Sequence, residues 1–112
     1  MIKNIFKFIK ENLKRGLDKN DIDIKEFEEK AKNGAIILDV RNKSEYKEGH
    51  INGAISFPDY DINEENIKKL KLNQNDIILV YCSTGGRSKN AKNKLEKLGF
   101  KNVYNLYSGW NY

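Results

Sequence analysis

Apolar positions along the chain change their period near residue 22, and that change divides it in two. Up to residue 14, Ile2, Ile5, Phe6, Ile9 and Leu13 recur at helical spacing, while Lys3, Lys7, Lys10 and Lys14 fall along the other side. This is the pattern of an amphipathic basic helix, assigned to residues 1–16. Its apolar stripe can pack against the protein's own core or a second copy of the chain, or lie on an anionic membrane surface; packing against protein is the expectation taken here. A Gly-, Asp- and Asn-containing stretch follows, with 17–21 read as a linker. From Ile22 the pattern alternates between strands and helices, which predicts one α/β domain over 22–112 with helices flanking a mostly parallel sheet.

Within that domain Asp23, followed three residues later by Glu26, opens a helix that should carry Ile24, Phe27 and Ala31 inward; Asn33 and Gly34 close it. Residues 35–40, apolar except for Asp39, read as a central strand buried on both sides. A short polar helix around Ser44 to Lys47 ends at Gly49, and a brief strand over 54–57 is stopped by Pro58. Residues 64–72 give an exposed helix with Ile67 and Leu70 on its apolar edge. The run Ile77-Ile78-Leu79-Val80-Tyr81 is the strongest strand. Ser88 to Leu98 is helical, with Ala91, Leu95 and Leu98 on one face and Gly99 as its stop, and Val103 to Leu106 forms a last strand.

Composition narrows the function classes. A chain of 112 residues, 38% hydrophobic and with one proline, has room for one core and does not read as disordered or collagenous. Its net charge of +5 comes from lysines spread along the chain. Arg15, Arg41 and Arg87 stand far apart in sequence, so no nucleic-acid partner is expected, although the positive field favours small anionic substrates. A single cysteine, Cys82, excludes an intramolecular disulfide and any cage of several thiolates. No metal or organic cofactor is expected, and a reducing, cytoplasmic setting is the default. Lysines interrupt the N-terminal apolar residues, so that stretch fails as a signal peptide, and no integral membrane segment is expected.

The informative segment is Tyr81-Cys82-Ser83-Thr84-Gly85-Gly86-Arg87-Ser88, between the strongest strand and a helix. Side chains at the carboxyl ends of parallel strands face the crevice where α/β proteins bind ligands, and a helix N-terminus favours an anion there. A thiolate at Cys82 is stabilised by that position. Ser83, Thr84, Gly85 and Gly86 are small enough for the backbone to curl around the sulfur with several N–H groups aimed at it, and Arg87 adds a positive charge for an oxyanion or for holding the loop. Read without chemistry, Cys82 would be a small hydrophobe at a strand end; two glycines and an arginine within five residues argue against that.

At these residues the sequence resembles the rhodanese-like sulfurtransferases, specifically their single-domain members. Leu38-Asp39-Val40-Arg41 is similar to the family's first signature, and Glu45-Tyr46-x-x-Gly49-His50-Ile51-x-Gly53-Ala54-Ile55 to its second. The Cys82 loop falls where the catalytic loop belongs, and Leu98 to Leu106 resembles the helix-to-strand return, so the likeness covers roughly residues 22 to 110. The resemblance implies a three-layer fold and transfer of sulfane sulfur from thiosulfate or a persulfide, through a Cys82 persulfide, to an external thiol, a partner protein or cyanide. It also implies that Ser83 to Ser88 hold the persulfide while Arg87 orients the donor.

Roles outside the loop are mainly supporting. Asp39 is expected to accept loop N–H groups or pair with Arg41, and Arg41 to pair with Asp39 or Glu45 or to reach the site mouth. The only histidine, His50, stabilises a turn in the family pattern and is not needed as a base beside an ionised thiolate. Family domains often continue into a further helix near the point where this chain has Ser108-Gly109, and the N-terminal helix is the expected substitute cover. One rival is a phosphatase or arsenate reductase, but those relatives of the fold carry C-x5-R where Cys82 to Arg87 is C-x4-R, a smaller loop. The rival from another class is a non-turnover binding or sulfur-carrier module. Tyr60, Tyr107, Trp110 and Tyr112 are read either as a docking rim for a partner-protein acceptor or as aromatics that finish the core near a terminus. Removing residues 1–16 is expected to lower the unfolding temperature in a thermal melt; an unchanged melt would mean that the segment does not cover the domain.

Overall fold

The apolar run at Ile77–Tyr81 becomes the middle strand of a five-stranded sheet, as its β-branched composition dictates. The computed structural model describes residues 17–111; the predicted N-terminal helix and Tyr112 lie outside them. In chain order the elements are β1 (Asp21–Ile22), α1 (Ile24–Lys32), β2 (Ile36–Asp39), α2 (Lys43–Glu48) and β3 (Ile55–Ser56), then a 3-10 turn (Asp59–Asp61). They continue with α3 (Glu64–Lys68), β4 (Ile77–Tyr81), α4 (Gly86–Lys97) and β5 (Asn102–Leu106). The sheet order is β1-β5-β4-β2-β3 with every pairing parallel, so all strand carboxyl ends share one edge. No helix among the described residues is long and apolar enough to cross a membrane.

Successive side chains on β4 alternate between two apolar layers. Ile78, Val80 and Cys82 join Leu38, Val40, Ala91 and Leu95 on the α4 side, whereas Leu79 and Tyr81 join Ile37, Phe27 and Leu106 on the α1 side. Leu38, Ile78, Leu79, Val80 and Leu95 are fully buried in these layers.

Several details depart from the sequence-based expectations. The stretch read as a linker folds onto the sheet, because Asp21 and Ile22 pair with Asn105 and Leu106, while Asp18 and Asp21 bind Lys89, and Asp18 also binds the buried Lys92. Ile24 is not inward-facing: it occupies the first position of α1 and stays exposed, although Phe27 is buried and Ala31 packs against the core. The helix predicted to reach Leu72 ends at Lys68, with Lys71 in the left-handed region soon after. At α2, Asn42 and Glu45 form a reciprocal capping box that the sequence reading overlooked.

On the α1 side, at the carboxyl ends of β2 and β4, lies a buried polar knot. Asp39 Oδ1 accepts from the Arg41 backbone N–H and Nε, both at 3.0 Å, and Asp39 Oδ2 accepts from Arg41 Nη2 and the Tyr81 hydroxyl, both at 2.6 Å. Arg41 Nη2 also donates to the Gly49 carbonyl at 2.6 Å, and its guanidinium lies over the rings of Tyr81 and Trp110. Removing one partner of such a pair strands a buried charge. Arg41→Met is therefore expected to cost about 3–5 kcal/mol in urea unfolding, against under about 1 kcal/mol for Lys68→Met, which breaks the exposed pair with Glu64.

Candidate active site

Strand parity puts Cys82, one residue past β4, in the layer packed against α4, directly below that helix's first turn. α4 starts without a side-chain cap. Its N-cap is Gly85 at φ 93°, and Cys82 Sγ receives the N–H of Gly85 at 3.1 Å and that of Ser88, the third helical residue, at 3.4 Å. The Ser88 hydroxyl lies 3.4 Å from Sγ and 3.2 Å from the Gly85 carbonyl. A thiol sulfur thus occupies the place of a capping oxygen.

Two glycines make this curl fit. A Cβ at Gly85 would stand 2.3 Å from the Tyr107 carbonyl oxygen, and one at Gly109 would stand 2.0 Å from that of Ser83; both residues also have positive φ. The chain leaving β5 therefore forms the wall behind the loop, fixed by a bond from the Trp110 N–H to the Cys82 carbonyl at 2.9 Å.

Burial pushes the Cys82 thiol up. The Ser88 hydroxyl and the amides of Ser88, Thr84 and Gly85 outweigh it, so the group ends below its ordinary value of 9.0. Cys82 itself has no exposed surface, while Thr84 and Gly86 of its loop are exposed and Ser83 and Arg87 partly so.

Arg87 carries the loop's charge and holds it to α2. Its Nη1 donates to Glu45 Oε1 at 2.6 Å and its Nη2 to Glu45 Oε2 at 3.1 Å; Ser83 Oγ donates to Oε2 at 3.1 Å. Glu45 Oε1 also accepts the Asn42 N–H, closing the α2 cap. The Arg87 hydrogen bonds, opposed by burial, bring the Glu45 carboxyl down to about 2. This residue was quoted in the sequence signature but given no role at the loop. The signal was available as the Asn42-to-Glu45 spacing of a capping box, yet its pairing with Arg87 spans 42 positions and only the fold creates it.

The other predicted residues are dispersed. Asp39 and Arg41 bind each other in the opposite layer from Cys82. His50 is exposed, stacked on Tyr46 at 3.7 Å with Nδ1 2.8 Å from the Tyr46 carbonyl, within a turn. Trp110 packs edge-on against Tyr81 in the core, so it is not part of an exposed rim, whereas Tyr60 and Tyr107 are exposed. The Tyr81 hydroxyl, which also accepts the Ile51 N–H, joins the buried knot without having been anticipated.

Residues 23–112 match the family model of the rhodanese-like domain. Over 73 residues the chain is 40% identical to YrkF of Bacillus subtilis, a candidate sulfur carrier protein, covering 65% of this chain and 38% of that one. It is 35% identical over 68 residues to the thiosulfate sulfurtransferase PspE of Escherichia coli, covering 61% and 64%. Among solved structures, the BH2092 protein of Bacillus halodurans superposes with a TM-score of 0.71 at 30% identity, covering 97% of this chain and 77% of that one. The chain spans less than two thirds of the length of the curated relatives named here.

Two outcomes follow from these bonds. In a titration of thiolate ultraviolet absorbance, Cys82 should ionise below the ordinary thiol value, and Ser88→Ala should raise its midpoint; an unmoved midpoint would mean that the hydroxyl does not stabilise the thiolate. Glu45 is depressed in the folded state, so its ionisation contributes stability that is present above the unfolded value of about 4.3 and lost as pH falls toward about 2. Glu45→Gln should flatten that part of the acid limb in denaturation measured against pH.

Proposed function

Because the chain belongs to the rhodanese-like domain family, we propose that it is a sulfurtransferase in which Cys82 carries the sulfur between donor and acceptor. The observation that carries this reading is the set of amides gathered on Sγ at the start of α4. They favour the thiolate over the thiol, and the thiolate is the nucleophile.

In the first half-reaction, the thiolate attacks the outer sulfur of thiosulfate or of a persulfide. The Sγ–S bond forms as the donor's S–S bond breaks, and the electron pair of that bond leaves on sulfite or on the donor thiolate. The loop Ser83 to Ser88 then holds the charge on the terminal sulfur through its N–H groups. In the second half, an acceptor thiolate or cyanide attacks that outer sulfur and Cys82 departs as thiolate. A lowered thiol value makes Cys82 the better leaving group. The sulfane sulfur passes through without net oxidation, so no cofactor is needed.

These 112 residues hold one cysteine, so the acceptor in this reading is a thiol beyond them, on a small molecule or a protein, in a reducing compartment. A non-turnover sulfur carrier is the second reading, favoured by the full burial of Cys82 and the likeness to YrkF. The C-x4-R spacing and the occupied Arg87 speak against phosphate or arsenate as substrate.

Intact-protein mass spectrometry tests the proposal. After thiosulfate or a small persulfide, the wild type should gain one sulfur atom and Cys82→Ser none, and cyanide or a thiol should remove it repeatedly with product formed. A sulfur that loads but does not turn over would favour the carrier; failure to load from either donor would overturn sulfur transfer.

A further inference from the structure

Thiosulfate brings two negative charges to a site, and recognising it favours a cation free to meet them. Within the Cys82 loop that cation is Arg87, and its guanidinium is already engaged by both oxygens of Glu45 and donates to Ser83 Oγ at 3.3 Å. Glu45 is anchored in turn by the cap of α2, so the pair is built into the fold rather than formed by two loose side chains. The surroundings add further negative charge. Glu45 first, and also Cys82 and Asp59, act to raise the Arg87 guanidinium above its ordinary value. Lys94, two turns further along α4, has its Nζ on the Asp59 carbonyl at 2.9 Å. The groups on Sγ are backbone amides and one hydroxyl, which carry no formal charge of their own.

We propose that Glu45 sets the donor preference: by occupying both arms of Arg87 it withdraws the cation that a dianion would use, and so favours an organic persulfide of low net charge over thiosulfate. This rests on the sulfur-transfer reading above and specifies its donor class. Glu45→Gln keeps the side chain's size and an oxygen for the cap while cancelling its charge, which releases Arg87 toward the mouth. Glu45→Asp keeps the charge.

The test compares kcat/KM for thiosulfate and for cysteine persulfide in the wild type and both variants, with loading at Cys82 followed by mass. The wild type should prefer cysteine persulfide. In Glu45→Gln the thiosulfate-to-persulfide ratio should rise about tenfold, equivalent to about 1.4 kcal/mol, and the gain should shrink with added salt; in Glu45→Asp the ratio should stay near that of the wild type. An unchanged ratio in Glu45→Gln would overturn the proposal, and so would an equal rise for both donors, which would make Glu45 a latch on the loop. Should Glu45→Gln fail to fold, the wild type still decides: a preference for thiosulfate that falls steeply with salt would show Arg87 free to bind the dianion and overturn the proposal. Wild-type Cys82 loaded by neither donor would instead overturn sulfur transfer itself, a result distinct from a changed preference.

Discussion

Hydrogen bonds from the first turn of α4 to Cys82 Sγ are the interaction on which the rest of the site depends. A twelve-residue helix that begins on glycine has opening amides and no side-chain oxygen to receive them. The sulfur three residues before the N-cap fills that role. The bonds that start the helix are therefore the bonds that favour the thiolate, and local stability and reactivity share one cause. Gly85 and Gly109 are fixed by the same requirement, since a Cβ at either would collide with the backbone of the facing segment.

The two layers at the carboxyl edge of the sheet divide the work. On the α1 side, Asp39, Arg41 and Tyr81 neutralise one another in a knot without exposed charge, tying β2, β4 and the turn at Gly49 into one piece. On the α4 side, the loop curls over the sulfur. Glu45 joins α2 to that loop through Arg87, so one carboxylate closes a helix cap and holds the arginine of the loop. A neutralised arginine at the mouth and an amide-lined interior suit a ligand whose charge is concentrated on one sulfur atom.

Much of this was legible in the chain itself. The runs 35–40 and 77–81 announced buried strands, realised as Ile36–Asp39 and Ile77–Tyr81, and the small residues after Cys82 announced a loop able to curl. What escaped were features with little local pattern: a two-residue edge strand at Asp21–Ile22, too short for any period, and the exposure of Ile24, decided by where α1 meets the sheet. The sequence left three uses open for Arg41, and the fold chose Asp39, with Arg41 two residues past the end of β2 and Tyr81 opposite Asp39 on β4.

Periodicity, turn residues and the composition of the Cys82 loop are short-range properties, set by backbone sterics and by burial of apolar side chains along a few turns or strands. From them the sequence by itself determined an alternating α/β domain and the place of Cys82 between strand and helix. Partner choice among charged groups is long-range. That Glu45 takes Arg87 across 42 positions, and that Tyr81 caps Asp39 across another 42, was decided only by the tertiary structure. Electrostatic pairing depends on which side chains the packed elements bring within hydrogen-bond distance: the register of β2 on β4 set Tyr81 beside Asp39, and the placement of α2 near the start of α4 set Glu45 on Arg87.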